Sequence, residues 1–148
     1  IIPNTSKVDL NVSNAGNFLG TKSFGVRKIP APEIQARIKG KQIDSKRGIP
    51  VNTGSFSLDA IPDESFAAFL PKDARFQVRE AEISLVRANR GVSRIRSTSK
   101  NISLTKLAGK RKGDLIVIEI KQVARANFRG DVENFRNFTG RVIKIPLN

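Results

Sequence analysis

The sequence predicts an all-β protein: an immunoglobulin-like β-sandwich in residues 30–148, preceded in residues 1–29 by the terminal strands of another β-domain. Three observations carry this prediction. Apolar residues recur mostly with period two, clusters of Gly, Pro and Asn punctuate the chain at short intervals, and a single short segment reads as helix. Val8, Leu10 and Val12 alternate with Asp9 and Asn11, and a turn containing Asn14, Gly16, Asn17 and Gly20 leads to a second strand at Lys22 to Arg27. This is a β-hairpin. A lone hairpin has too little face to bury. It is therefore expected to be the end of a domain whose start is missing, and to pair with the downstream domain or with a second copy. Pro30 and Pro32 follow in an extended connector, which sets the expected domain boundary.

Beyond the connector the expected strands are Gln35 to Lys39, Ser65 to Leu70, Phe76 to Ala88, Val92 to Ser97, Asp114 to Ala124 and Arg141 to Leu147. In Asp114 to Ala124, Ile116, Ile118 and Ile120 share one face, and its apolar start marks it as central. In Phe76 to Ala88 the apolar phase slips by one around Arg79 and Glu80, which predicts a β-bulge. The last strand turns Ile143, Ile145 and Leu147 inward, and Pro146 places it at an edge. The one helical segment is Ser103 to Ala108, with Ser103 as N-cap.

Composition narrows the function classes. The 148 residues hold 27 Lys+Arg against 13 Asp+Glu, a net charge of +14, with no His, Cys, Met, Trp or Tyr. Thiol nucleophiles, histidine bases, soft metal ligands and disulfides are absent, so most enzyme classes are excluded. Acid pairs such as Asp63 with Glu64, Asp114 with Glu119 or Asp131 with Glu133 are expected to be salt-bridge partners of arginines. The sequence predicts no active site, cofactor or metal. Its longest aliphatic run, Leu115 to Ile118, is far short of a membrane span, and the Ile1-Ile2-Pro3 start reads as a fragment or processed product.

Charge concentrates late in the chain. Residues 41–78 balance five bases with five acids, whereas residues 79–148 carry sixteen bases and six acids. Arg87, Arg90, Arg94, Arg96 and Lys100, then Lys106, Lys110, Arg111 and Lys112, form a basic stretch. Arg94 and Arg96 lie two apart and so project from one strand face, and Lys110 to Lys112 precede Gly113 as a loop tip would. Arg87, Arg90, Arg94, Arg96, Lys110, Arg111, Lys112 and Arg129 are the candidate partner-binding residues. Together the basic residues suggest one cationic end that docks an acidic partner. The alternative is a basic nucleic-acid-binding β-domain, which needs exposed stacking aromatics. Phe18, Phe66, Phe69 and Phe76 read as core, and Phe128, Phe135 and Phe138 read as plugs holding the loop from Ala126 to Gly140 onto the sandwich. No nucleic-acid partner is therefore expected.

The series Ser23-Phe24-Gly25-Val26-Arg27-Lys28-Ile29-Pro30-Ala31-Pro32, then Phe76-Gln77-Val78, Gly113 to Lys121 and Ile143-Lys144-Ile145-Pro146 resembles the C-terminal periplasmic part of the GldM/PorM family, and is most similar to its PorM branch. Ala31 departs from the family's acidic linker residue, and residues 41–62 and 126–140 match poorly. The resemblance implies a subunit of the type IX secretion and gliding-motility machinery, anchored in the inner membrane beside an ion-driven motor partner. It implies a homodimeric periplasmic arm, with strands exchanged between copies as one arrangement. This arm would reach lipoprotein-containing ring subunits at the outer membrane, with this fragment at its tip, acting by docking and force transmission. The family has no functional motif to carry onto single residues, so the candidate residues above rest on charge clustering.

Overall fold

The computed structural model describes residues 7–25 and 28–148. Val26 and Arg27, at the end of the expected second strand, lie outside the described residues. The chain divides into two units, residues 1–30 and 31–148. In the first, β1 (Lys7–Asn14) and β2 (Asn17–Gly25) form a two-stranded antiparallel sheet. Its two-residue turn places Ala15 and Gly16 at positive φ (49° and 81°), the twist that tight hairpins require.

The second unit is an all-β sandwich. One sheet contains β3 (Glu33–Ile38), β4 (Lys41–Gln42), β5 (Ser55–Ile61) and β8 (Asn101–Ser103), in the order β4-β3-β5-β8. The other contains β6 (Arg75–Arg87), β7 (Arg90–Ser97), β9 (Leu115–Ala126), β10 (Val132–Phe135) and β11 (Val142–Pro146). In it β9 is central. Its one side pairs with β6, and its other side pairs first with β11 and then with β10. All these pairings are antiparallel.

The core lies between the sheets. Ile83 and Leu85 of β6 and Ile116, Ile118 and Ile120 of β9 face Ile34, Phe56, Leu58 and Ile102 of the other sheet, all buried. Each such aliphatic side chain contributes about 2 kcal/mol by leaving water. The bulge expected near Arg79 is present, and β9 answers it. Val78 pairs with Val123, Glu80 with Gln122 and Ala81 with Ile120, so β6 gains one extra residue at Arg79 and β9 one at Lys121. The compensated slip keeps Val78, Ala81, Ile120 and Val123 all facing the core.

Several local expectations are corrected. Ser65 to Leu70 is not a strand but part of the helix α1 (Glu64–Phe69), capped by the Asp63 side chain, which accepts from the Phe66 N–H at 2.9 Å. Ser103 to Ala108 forms only a 3-10 turn at Leu104–Lys106, and the Ser103 side chain makes no cap bond. Within residues 41–62, β4 and β5 are strands beyond those expected, and β8 and β10 are also additional. Phe18 and Phe69 are exposed, not core.

Candidate partner-docking surface

Strand direction decides where each charge lies. β3 enters the sandwich at Glu33, which pairs with Ile61 at the end of β5, and α1 and the start of β6 follow at that same end. The opposite end gathers the β3–β4 turn at Lys39 and Gly40, the β6–β7 turn at Ala88 and Asn89, and the segment from Leu104 to Asp114. We call these the entry end and the distal end. Along β6 they are about 40 Å apart at ~3.3 Å per residue.

The distal end is held by a buried carboxylate. Asp114 accepts from Arg87 Nε and Nη2, each at 2.7 Å, and from the Arg111 N–H at 2.8 Å. Arg87 also donates to the Gly109 carbonyl at 2.7 Å, and Ser93 Oγ reaches the Ala108 carbonyl at 3.1 Å. These bonds fasten the loop after Leu104 beside the β6–β7 hairpin. The bidentate hydrogen bond from Arg87 holds the Asp114 carboxyl below the usual carboxylate range against the opposing effect of burial, and the bond to Asp114 raises Arg87 in turn. Arg87 thus positions the end and is engaged at its guanidinium.

Around this anchor stand cations that are free to meet a partner. Arg90 at the hairpin tip and Arg111 and Lys112 at the loop tip are exposed, and among the described residues their side chains make no ion pair or hydrogen bond. Lys110 is tethered only by a 3.4 Å bond to the Thr53 carbonyl. Lys39 and Lys41 flank the neighbouring turn, and Arg47, itself 3.7 Å from Asp44, joins them through the bond from the Asn148 side chain to its carbonyl. These last three fell in segments that do not stand out in the linear charge count. Within residues 41–78 the acids Asp63, Glu64 and Asp73 cancel Lys41 and Arg47 on paper, yet the fold carries those acids to the entry end.

The other candidate residues lie elsewhere. Arg94 and Arg96 do share the outer face of β7, but they run along the sheet and are tied to β6 glutamates: Arg94 to Glu82 at 3.4 Å and Arg96 Nε to Glu80 at 2.8 Å. Arg129 sits at the entry end, in the loop joined to the start of β6 by Arg75 and to Asp73 by the Phe128 N–H. Its guanidinium lies 5.3 Å from the Phe128 ring centre. The eight candidate residues therefore do not form one patch: Arg87, Arg90, Lys110, Arg111 and Lys112 converge, Arg94 and Arg96 adjoin them, and Arg129 is remote.

The acids and aromatics take structural roles. Glu133 and Asp73 hold Arg125, a buried arginine at the entry end (Arg125 Nε to Glu133 at 2.8 Å, Nη1 to Asp73 Oδ1 at 3.5 Å). Glu119 pairs with Lys121 at 2.8 Å. Phe135 packs edge-on against Phe76, and Phe138 packs on the core beneath the Arg141 guanidinium at 4.4 Å. Both are plugs. Among the described residues no acidic cluster could hold a metal ion, and no helix is long and apolar enough to cross a membrane.

With this geometry in hand, the comparison with known families is decisive over most of the chain. Residues 30–148 match the family described as the GldM C-terminal domain. The chain belongs to the GldM family. Among curated proteins none matches it. Membership implies a role in gliding motility and type IX secretion, in a family of membrane-anchored components of the secretion machinery.

Proposed function

We propose that this GldM domain is the docking and force-transmitting tip of a periplasmic arm, and that its distal cationic end grips an acidic face of the outer-membrane-associated ring. The observation that carries this is the segregation of charge. Arg90, Lys110, Arg111 and Lys112 crowd the end farthest from where the chain enters the sandwich, around the Arg87–Asp114 anchor. A cationic end steers an anionic partner and raises its on-rate. The architecture suits load, because shearing β6 from β9 breaks an extended ladder of hydrogen bonds together. A homodimer, with strands exchanged between copies by the same edge pairing, doubles the grip, and the hairpin of residues 7–25 serves as the closing strands of a preceding β-domain. Leu10, Val12, Phe18 and Leu19 in that hairpin are each more than half exposed, as strands taken from a larger sheet would be. PorM-type secretion is the branch this reading favours.

The test is binding of the purified chain to ring subunits from the outer membrane, followed against salt. Attraction between exposed charges is screened over about 8 Å at physiological ionic strength. Binding should weaken steeply as salt rises, and Arg90→Glu with Lys112→Glu should slow association at least tenfold while leaving dissociation little changed. Salt-independent binding would overturn the reading.

A further inference from the structure

The two sheets are left incomplete at the same place. β8 covers only Ser55–Ser57 of β5, so among the described residues Asp59–Ile61 has β3 on one side and no strand on the other. β7 covers β6 only from Ala81 onward, so the stretch from Arg75 to Glu80 is likewise open. Residues 98–100 cross from one sheet to the other at this level, where the Leu58 N–H donates to the Lys100 carbonyl at 2.8 Å. Successive residues of a strand point their main-chain groups to opposite edges. The N–H and C=O of Ala60, two residues on, therefore face the same way as those of Leu58, and among the described residues they have no main-chain partner there.

Below the crossing lies a groove of about 590 Å³, with Leu58 to Ile61 on one wall, Phe76 and Gln77 on the other, and Arg37 and Lys100 at its rim. Its charges are as incomplete as its ladder. Arg37 Nε is buried with no hydrogen-bond partner, and Lys100 reaches Asp59 only at 3.9 Å. A buried donor left unmet is costly, and an open strand edge is a template for pairing.

We infer that this groove is a second binding site, taking an extended acidic segment of a partner that adds as a strand beside β5, in line with β8. Its main chain bonds to Ala60, an acidic side chain accepts from Arg37 and Lys100, and an apolar side chain on its other face rests on Phe76. The occupant is acidic because both rim cations lack a full partner. This site lies on the flank of the sandwich and stands whether or not the distal end docks a ring.

The experiment titrates the isotope-labelled chain with a capped peptide of about six residues alternating glutamate and valine, and with its lysine–valine counterpart. The Ala60 amide is expected to shift and its hydrogen exchange to slow about tenfold with the glutamate peptide alone. Arg37→Gln should weaken binding about tenfold, the worth of one charge-assisted hydrogen bond, whereas Arg90→Glu with Lys112→Glu should leave the Ala60 response intact. Ala60→Pro, which removes the groove-facing N–H and with it the Ala60 probe, should abolish the shifts that the glutamate peptide otherwise causes in the neighbouring Asp59 and Ile61 amides; if that variant fails to fold, Arg37→Gln and the wild-type exchange decide. An unmoved Ala60 amide, an equal response to the lysine peptide, binding that follows the distal cations, or self-association through this edge would each overturn the proposal.

Discussion

Two buried carboxylates, Asp114 and Asp73, organise the two ends of the sandwich, and they do so through different arginines. Asp114 is held below the ordinary carboxylate value by its bond from Arg87, so it stabilises the fold fully above about pH 4. That contribution is lost as pH falls through its own lowered value, because the carboxylate must then take up a proton and release Arg87. A thermal-melting series should therefore show an acid-side loss of stability below about pH 4, and Asp114→Asn should flatten that limb. At the entry end, Arg125→Ala would leave the buried Asp73 carboxylate without its guanidinium. Denaturant unfolding should show a loss of about 3 kcal/mol, as expected when one member of a buried pair is removed. Neither partnership was legible beforehand. Of the acids expected to pair with arginines, Asp114 and Glu133 do, whereas Glu119 pairs with Lys121 and Asp63 caps α1; the partners of Asp114 and Asp73, 27 and 52 residues away, meet them only through the fold.

Elements were readable where the signal is local. The bulge in β6 showed as a phase slip between Val78 and Ala81, and the structure adds the matching slip in β9 that lets both strands keep their faces. β5 carries equally clear local alternation, with Phe56 and Leu58 in and Ser57 and Asp59 out. In α1 the pattern of Phe66 and Phe69 favours a strand core, whereas Asp63 as N-cap and Glu64 in the first turn mark a helix start. The two phenylalanine environments give a direct check. Phe69→Ser should leave the unfolding free energy within about 0.5 kcal/mol, while Phe56→Ala in β5 should cost about 3 kcal/mol. β10 had no local signature at all; four residues become a strand because β9 offers them an edge. The loop after β10 is sewn to β3 where the Ile34 N–H donates to the Thr139 carbonyl at 3.0 Å. A Cβ at Gly140, which has φ +78°, would lie 2.6 Å from the Ile34 carbonyl oxygen, so Gly140→Ala should cost about 2 kcal/mol in the same assay.

At the scale of the whole molecule, residues 31–148 enclose one continuous core drawn from both sheets. Removing residues 1–30 should therefore leave a cooperative unfolding transition with a midpoint within about 2 °C of the full chain, since its core and sheet edges remain intact. A large fall would show that the sandwich depends on the hairpin. The sequence by itself determined the class of the fold, the central place of β9, the bulge, the total charge and the lack of thiols and imidazoles, because these follow from composition and from spacings of a few residues. Only the tertiary structure decided that Lys39, Lys41 and Arg47 share an end with Arg90, Lys110 and Lys112, that Arg129 stands at the opposite end, and that Arg87 is committed to Asp114. The reason is that antiparallel strands reverse direction at every turn. Which residues meet at an end depends on strand lengths and non-local pairing summed over the whole chain, quantities that no short stretch of sequence contains.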